Sequence, residues 1–124
     1  MDEGRRLLYW EGSSKKEFDK FPVRVRKNMG VALYVAQLGG IPGAAKTWKG
    51  LGPGVYELVD DSHGNAFRAV YVVHIGQAVH VLHAFQKKSK SGIATPQCDV
   101  DVVVRRLKRV FARYPHGGRR NDSK

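Results

Sequence analysis

The sequence predicts an α+β fold: a small, mainly antiparallel β-sheet with N-terminal helices packed on it and a C-terminal helix. Three observations predict it. Runs of strand and helix character follow one another in the order β-α-α-β-β-β-α. The last three strand runs are separated only by short breaks rich in turn formers, so they should pair as an antiparallel meander. The 124 residues, 42% hydrophobic, suffice for one core and show neither an internal repeat nor a second composition block. The expected division is one domain over residues 1–114 and a flexible basic tail over 115–124.

Arg5 to Trp10 (RRLLYW) reads as a first strand, because Leu7, Leu8, Tyr9 and Trp10 can pack on a sheet. Ser14-Lys15-Lys16-Glu17 matches a capping box and should open a short helix that ends by Phe21. Pro22 suits the first position of a second helix, where its missing N–H costs nothing. Val25, Met29, Ala32, Leu33 and Ala36 give that helix an apolar stripe, and Gly39-Gly40 ends it. Ala44 to Gly54 reads as a Gly-rich connector in which Trp48 anchors the loop and Lys46 and Lys49 are the residues to watch.

Val55 to Val59 is the next strand, and Asp60 to Asn65 is dense enough in turn formers to connect it to a strand beginning at Phe67. A further hairpin follows, with Gly76-Gln77 at its tip in a type II′ turn. That tip pairs Ile75 with Ala78 and sets Arg68 opposite Phe85. His83 and Lys87 then flank Phe85 on the same face. Neither strand of this hairpin alternates cleanly, so cover is expected on at least part of both faces. Thr95-Pro96 opens the last helix, which should run to about Tyr114. Val100, Val103, Leu107, Val110 or Phe111, and Tyr114 form its apolar stripe. Arg105, Arg106, Lys108, Arg109 and Arg113 cover much of the remainder, as a solvated face or a phosphate contact.

Composition narrows the partners. Twenty-two Lys and Arg against eleven Asp and Glu leave a formal charge of +11, a field that attracts nucleic acid or an acidic protein. No apolar run approaches the roughly 18 residues of a membrane-spanning helix, and Met-Asp-Glu-Gly is not an export signal. The expectation is therefore a cytoplasmic protein. The single Cys98 cannot form an intramolecular disulfide and reads as an inert helical thiol.

Most catalytic chemistries lack their residues. His80 and His83 are three apart, which on a regular strand sends them to opposite faces, so no metal site is expected and no cofactor is called for. Gly50, Gly52 and Gly54 do not form a phosphate-binding fingerprint, and no Gly-x-Ser-x-Gly elbow is present. A basic site with an aromatic residue remains. RNA is cleaved without metal when its 2′-hydroxyl attacks the adjacent phosphate, given proton transfer and charge stabilisation. Arg68 can clamp a phosphate, Lys87 and Lys88 can stabilise a pentavalent one, and His83, with an ordinary pKa of ~6.5, can carry protons. Phe85 either supports a base or packs.

Arg68-Ala-Val-Tyr71, then Val81-Leu-His-Ala-Phe85-Gln-Lys-Lys88-Ser, then Gly92-Ile-Ala-Thr-Pro96 resemble the phage-derived HigB-type toxins of the RelE/ParE superfamily. Agreement continues upstream in Ser13-Ser-Lys-Lys, Phe21-Pro22, Ala32-Leu33, Ala36-Gln37-Leu38-Gly39, Ala45-Lys46 and Lys49-Gly50, covering about Trp10 to Leu107. The resemblance implies a RelE-like fold. It also implies a toxin that cuts mRNA on the ribosome without metal and is neutralised by a helix-turn-helix, HigA-like antitoxin. Carried over by position, it implies catalytic roles for Arg68 and Lys87, and the family's lysines in the connector before the sheet map to Lys46 and Lys49. The tyrosine that some RelE members use near the C-terminus has no clear counterpart, because Tyr114 lies too far along. His83 is then the candidate base, with Lys49 behind it, and Lys46, Phe85, Lys88 and Lys90 are candidate RNA contacts. The alternative is a non-catalytic module of the same fold that acts by protein contact, as ParE-type members do on DNA gyrase.

Overall fold

The computed structural model describes residues 4–62, 64–87 and 95–114. Its elements run β1 (Leu7–Trp10), α1 (Ser14–Phe18), α2 (Val23–Gln37), β2 (Ala45–Thr47), β3 (Val55–Ser62), β4 (Asn65–Ile75), β5 (Ala78–Lys87) and α3 (Gln97–Arg113). One five-stranded sheet has the order β1-β5-β4-β3-β2. Every pairing is antiparallel except β1 with β5, which is parallel. The proposed tail at 115–124 lies outside the described residues.

The sheet is covered on both faces. On one, Val25, Met29 and Leu33 of α2, with Phe18 and Phe21, bury against Leu58, Phe67, Tyr71, Val79 and Val81. On the other, Val103, Leu107 and Val110 of α3 bury against Val55, Val70, Val72, Leu82 and Phe85. Trp48 packs onto this second core and anchors its loop as expected. Burial on both sides is why the two long strands carry continuous apolar runs rather than strict alternation.

Several local expectations need correction. Ala44–Gly54 is not wholly a connector: Ala45–Thr47 adds an edge strand, with Lys46 opposite Glu57. Residues 60–65 are not wholly a turn either, since β3 continues through Asp60 and Asp61 to Ser62 and β4 starts at Asn65. Ser14 does not cap α1. It is fully buried, and its hydroxyl donates to the Val81 carbonyl at 3.2 Å, the same oxygen that accepts from the Glu11 amide at 2.9 Å. Pro22 and Pro96 precede their helices as N-caps rather than occupying the first helical position. At the β4–β5 tip Gly76 and Gln77 both have positive φ, 63° and 58°, so the turn is of the I′ kind, whose twist suits a hairpin.

The β4–β5 register begins and ends as expected, with Ile75 opposite Ala78 and Arg68 opposite Phe85, but it is not continuous. Leu82 is an extra residue on β5 between the Val70–His83 and Tyr71–Val81 pairs. A compensating extra residue on β4 lies between Val72 and Ile75, where His74 has φ 70°. Two opposite bulges cancel, and each reverses the strand's facing. Consequently His80 and His83 do not point to opposite sides. Both lie on the α3 face, where His80 meets Tyr114 and His83 meets Asp99.

Candidate active site

The far end of the α3 face, where β2, β3, β4 and β5 lie side by side, brings together three cations from separate strands. Lys46 of β2 faces Glu57 of β3 across the ladder. Arg68 of β4, one step along, places its Nε 3.4 Å from Glu57 Oε2 and its Nη1 3.3 Å from Asp61 Oδ1. Lys87, at the end of β5 opposite Ala66, is buried on the same face. Sheet geometry explains the convergence: alternate residues on adjacent strands share a face, so residues from separate runs meet within one patch.

Glu57 is the centre of this patch. Burial raises its carboxyl above the ordinary range, against the opposing pull of Arg68, Lys87 and Lys46. Among the described residues its Oε2 has no hydrogen-bond partner, the Arg68 contact being an ion pair of looser geometry. Strand character was the only signal in Val55 to Val59. Lys46 opposite Glu57 shows only once β2 is known, so the sequence alone left Glu57 out.

His83 stands at the wall of the patch rather than on its floor. Its ring stacks on Phe85 with centroids 4.9 Å apart, and its Nε2 lies 2.8 Å from Oδ1 of Asp99 at the start of α3. Its Nδ1 is buried without a hydrogen-bond partner among the described residues. Burial lowers the ring's pKa, against the opposing hydrogen bond that the ring donates to Asp99. Both nitrogens are thus withdrawn from anything arriving at the surface. Asp99 is the second residue that sequence reasoning missed, lying on a helix whose position over β5 has no local signature.

The other candidates divide. Phe85 belongs to the core under α3 and is 7% exposed, so its ring packs rather than offering a face to a base. Lys49 sits exposed in the turn after β2, with no hydrogen bond or ion pair among the described residues, and does not join the group. Lys88 and Lys90 lie outside the described residues. Arg106, expected on the solvated face of the last helix, is instead buried. It donates from Nη1 to the Leu82 carbonyl at 2.9 Å and from Nη2 to Ser13 Oγ at 3.1 Å. Arg105, Lys108, Arg109 and Arg113 do remain exposed. Among the described residues no three His, Cys, Asp or Glu side chains are grouped to hold a metal ion.

Residues 16–108 match the family model described as phage derived protein Gp49-like (DUF891). No curated protein sequence matches the chain. Among solved structures, a mutant of the Escherichia coli toxin RelE in the free state is similar at TM-score 0.55 and 21% identity, covering 85% of this chain and 97% of that one. The toxin–antitoxin complex RelBE2 of Mycobacterium tuberculosis gives 0.44 and 15%, covering 68% and 94%. The fold carrying the Glu57 patch is therefore that of RelE, and the chain belongs to the family of phage-derived Gp49-like proteins.

Proposed function

We propose that this protein is the toxin of a type II toxin–antitoxin pair, a metal-independent endoribonuclease that cuts mRNA on the ribosome in the cytoplasm. A helix-turn-helix, HigA-like antitoxin would neutralise it. Family and fold support the toxin reading, and the resemblance in the Arg68, His83–Lys87 and Gly92–Pro96 motifs supports the HigB type. One observation carries the chemistry: three cations, Lys46, Arg68 and Lys87, converge on a single carboxylate whose pKa burial has raised.

That set supplies what 2′-hydroxyl attack requires. Glu57, more basic than an ordinary carboxylate, takes the 2′-hydroxyl proton and fits this role better than the shielded His83 or the distant Lys49. Arg68 presents a planar fork of donors to the phosphate. Glu57 and Asp61 hold that fork in place in the free protein, and phosphate oxygens would replace Asp61 on Nη1. Lys87 and Lys46 add positive charge as the phosphorus becomes pentavalent, and the Lys87 ammonium gives a proton to the 5′-oxygen as the P–O5′ bond breaks, leaving a 2′,3′-cyclic phosphate. His83, tied to Asp99, holds the wall in shape.

The alternative, a ParE-like toxin that binds gyrase, is favoured by a different feature. Val31 and Tyr34 of α2 and Leu38 at its C-cap are exposed, as are Leu7 and Ile41. Exposed apolar side chains of this kind suit a protein partner, which can equally be the antitoxin.

Inducing the chain in a bacterial host beside an Arg68→Ala/Lys87→Ala variant matched for expression separates the two readings. Growth arrest with new in-frame mRNA 5′ ends, both lost in the variant, is expected. Arrest that persists in the variant with intact mRNA would overturn the nuclease and leave the protein-binding toxin.

A further inference from the structure

A second site lies on the same face of the sheet at the opposite end of α3. A cavity of about 320 Å³ opens there, lined by Tyr9, Trp10, Glu11, His80, Arg113 and Tyr114. About 21 Å of helix, at ~1.5 Å per residue, separates Arg113 from Asp99 beside the Glu57 patch. None of these residues takes part in the chemistry above.

The polar groups deep in the cavity are already committed to one another. Glu11 Oε2 meets His80 Nδ1 at 2.9 Å, His80 Nε2 meets the Ile75 carbonyl at 3.1 Å, and Arg113 Nη2 donates to Glu11 Oε1 at 2.6 Å. Burial pushes the Glu11 carboxyl up, but the hydrogen bonds from Arg113 and His80 outweigh it, and its pKa falls below the usual value. The network is closed. It does not attract a cation; it fixes the rings and the guanidinium around it.

What stays available for recognition is aromatic and cationic. Tyr9 stacks on His80 with centroids 5.2 Å apart and planes 21° apart, yet is 41% exposed, so one ring face is backed and the other open. Tyr114 meets the edge of His80 at 5.8 Å. The Arg113 side chain is 52% exposed, and only Nη2 is engaged by Glu11, leaving further N–H donors. A planar ring laid on tyrosine beside a guanidinium is the recognition chemistry of a nucleotide, base on the aromatic and phosphate on the arginine. The volume suits a ligand of that size. Between the two sites, α3 exposes Arg105, Lys108 and Arg109, cations along the path a single strand would follow.

We propose that this cavity is a nucleotide-binding subsite, in which a base stacks on Tyr9 and its phosphate meets Arg113. The choice of a nucleotide rests on the RNA-cleavage reading, but the site can be tested without cleavage. The full chain would be titrated with AMP, with ribose 5-phosphate as the base-free control, while the ring resonances of Tyr9, His80 and Tyr114 are followed by NMR. Saturable AMP shifts at these rings are expected, with ribose 5-phosphate at least tenfold weaker. Tyr9→Leu, on an exposed edge strand, should weaken AMP at least tenfold without moving the thermal midpoint. Arg68→Ala/Lys87→Ala should leave AMP binding unchanged, so that failure of the cleavage reading and failure of the subsite remain distinguishable. No saturable shift, equal binding of ribose 5-phosphate, or loss of AMP binding in the Arg68/Lys87 variant rather than in Tyr9→Leu would overturn the proposal.

Discussion

A carboxylate within reach of three cations would ordinarily be more acidic than usual, and Glu57 is less so, because the cost of burying its charge exceeds the attraction of Arg68, Lys87 and Lys46. If it is the base, ribosome-dependent cleavage should rise with pH through an apparent pKa above 4.5, and Glu57→Gln should lower the rate about 10²–10⁴-fold and abolish that limb. A pH profile unaltered by the substitution would remove Glu57 from the chemistry. A group whose folded pKa is raised contributes stability at acid pH that is lost as pH rises through it, so a thermal midpoint at the assay pH separates lost chemistry from lost fold. His83 has the opposite linkage. Its lowered folded pKa gives stability that is present above 6.5 and lost as pH falls through the folded value. Thermal midpoints from about pH 7.5 down to about pH 5 should therefore fall, and His83→Gln should flatten that fall. An identical slope in both proteins would contradict this. Arg68 and Lys87 were legible because their motifs announce them, whereas Glu57 and Asp99 acquire meaning only from neighbours distant in sequence.

Among the elements, β5 decides most. Its bulge at Leu82 brings His80 and His83 to one face, and the surrounding chain pins it: Arg106 holds the Leu82 carbonyl, while Ser14 and the Glu11 amide hold that of Val81. Gly12 makes room for Arg106, since a Cβ there would stand 2.6 Å from its Nε. Arg106→Met keeps the length of the side chain but leaves the Leu82 carbonyl without its charged donor. It should cost about 2–3 kcal/mol, read as a drop in thermal midpoint on the order of 10 °C, and disturb the NMR shifts of both histidines. Unchanged histidine shifts would show that the bulge stands without Arg106. The hairpin was legible because its turn and long apolar runs fix both ends of the register. Its interior was not, because bulges leave no compositional trace, and an arginine on a basic helix looks solvated until something accepts its hydrogen bonds. The three-residue β2 escaped notice for a similar reason. Set among glycines, it is a strand only because β3 offers it a ladder.

At the scale of the whole molecule, Lys46, Arg68 and Lys87 meet at one end of the α3 face of the sheet, and Arg105, Lys108, Arg109 and Arg113 are exposed along α3. The layered α+β arrangement follows from the order of apolar runs and was visible in the sequence. The central claim is that the chain uses the RNA's own 2′-hydroxyl at the Glu57 patch. The most direct measurement is cleavage by the purified protein of a ribosome-bound mRNA bearing a single 2′-deoxy nucleotide on the 5′ side of the scissile phosphate, beside the all-ribose message. The account predicts that the all-ribose message is cut to a 2′,3′-cyclic phosphate end and that the deoxy message is not cut at that position. Cleavage of the deoxy message at an undiminished rate would contradict it.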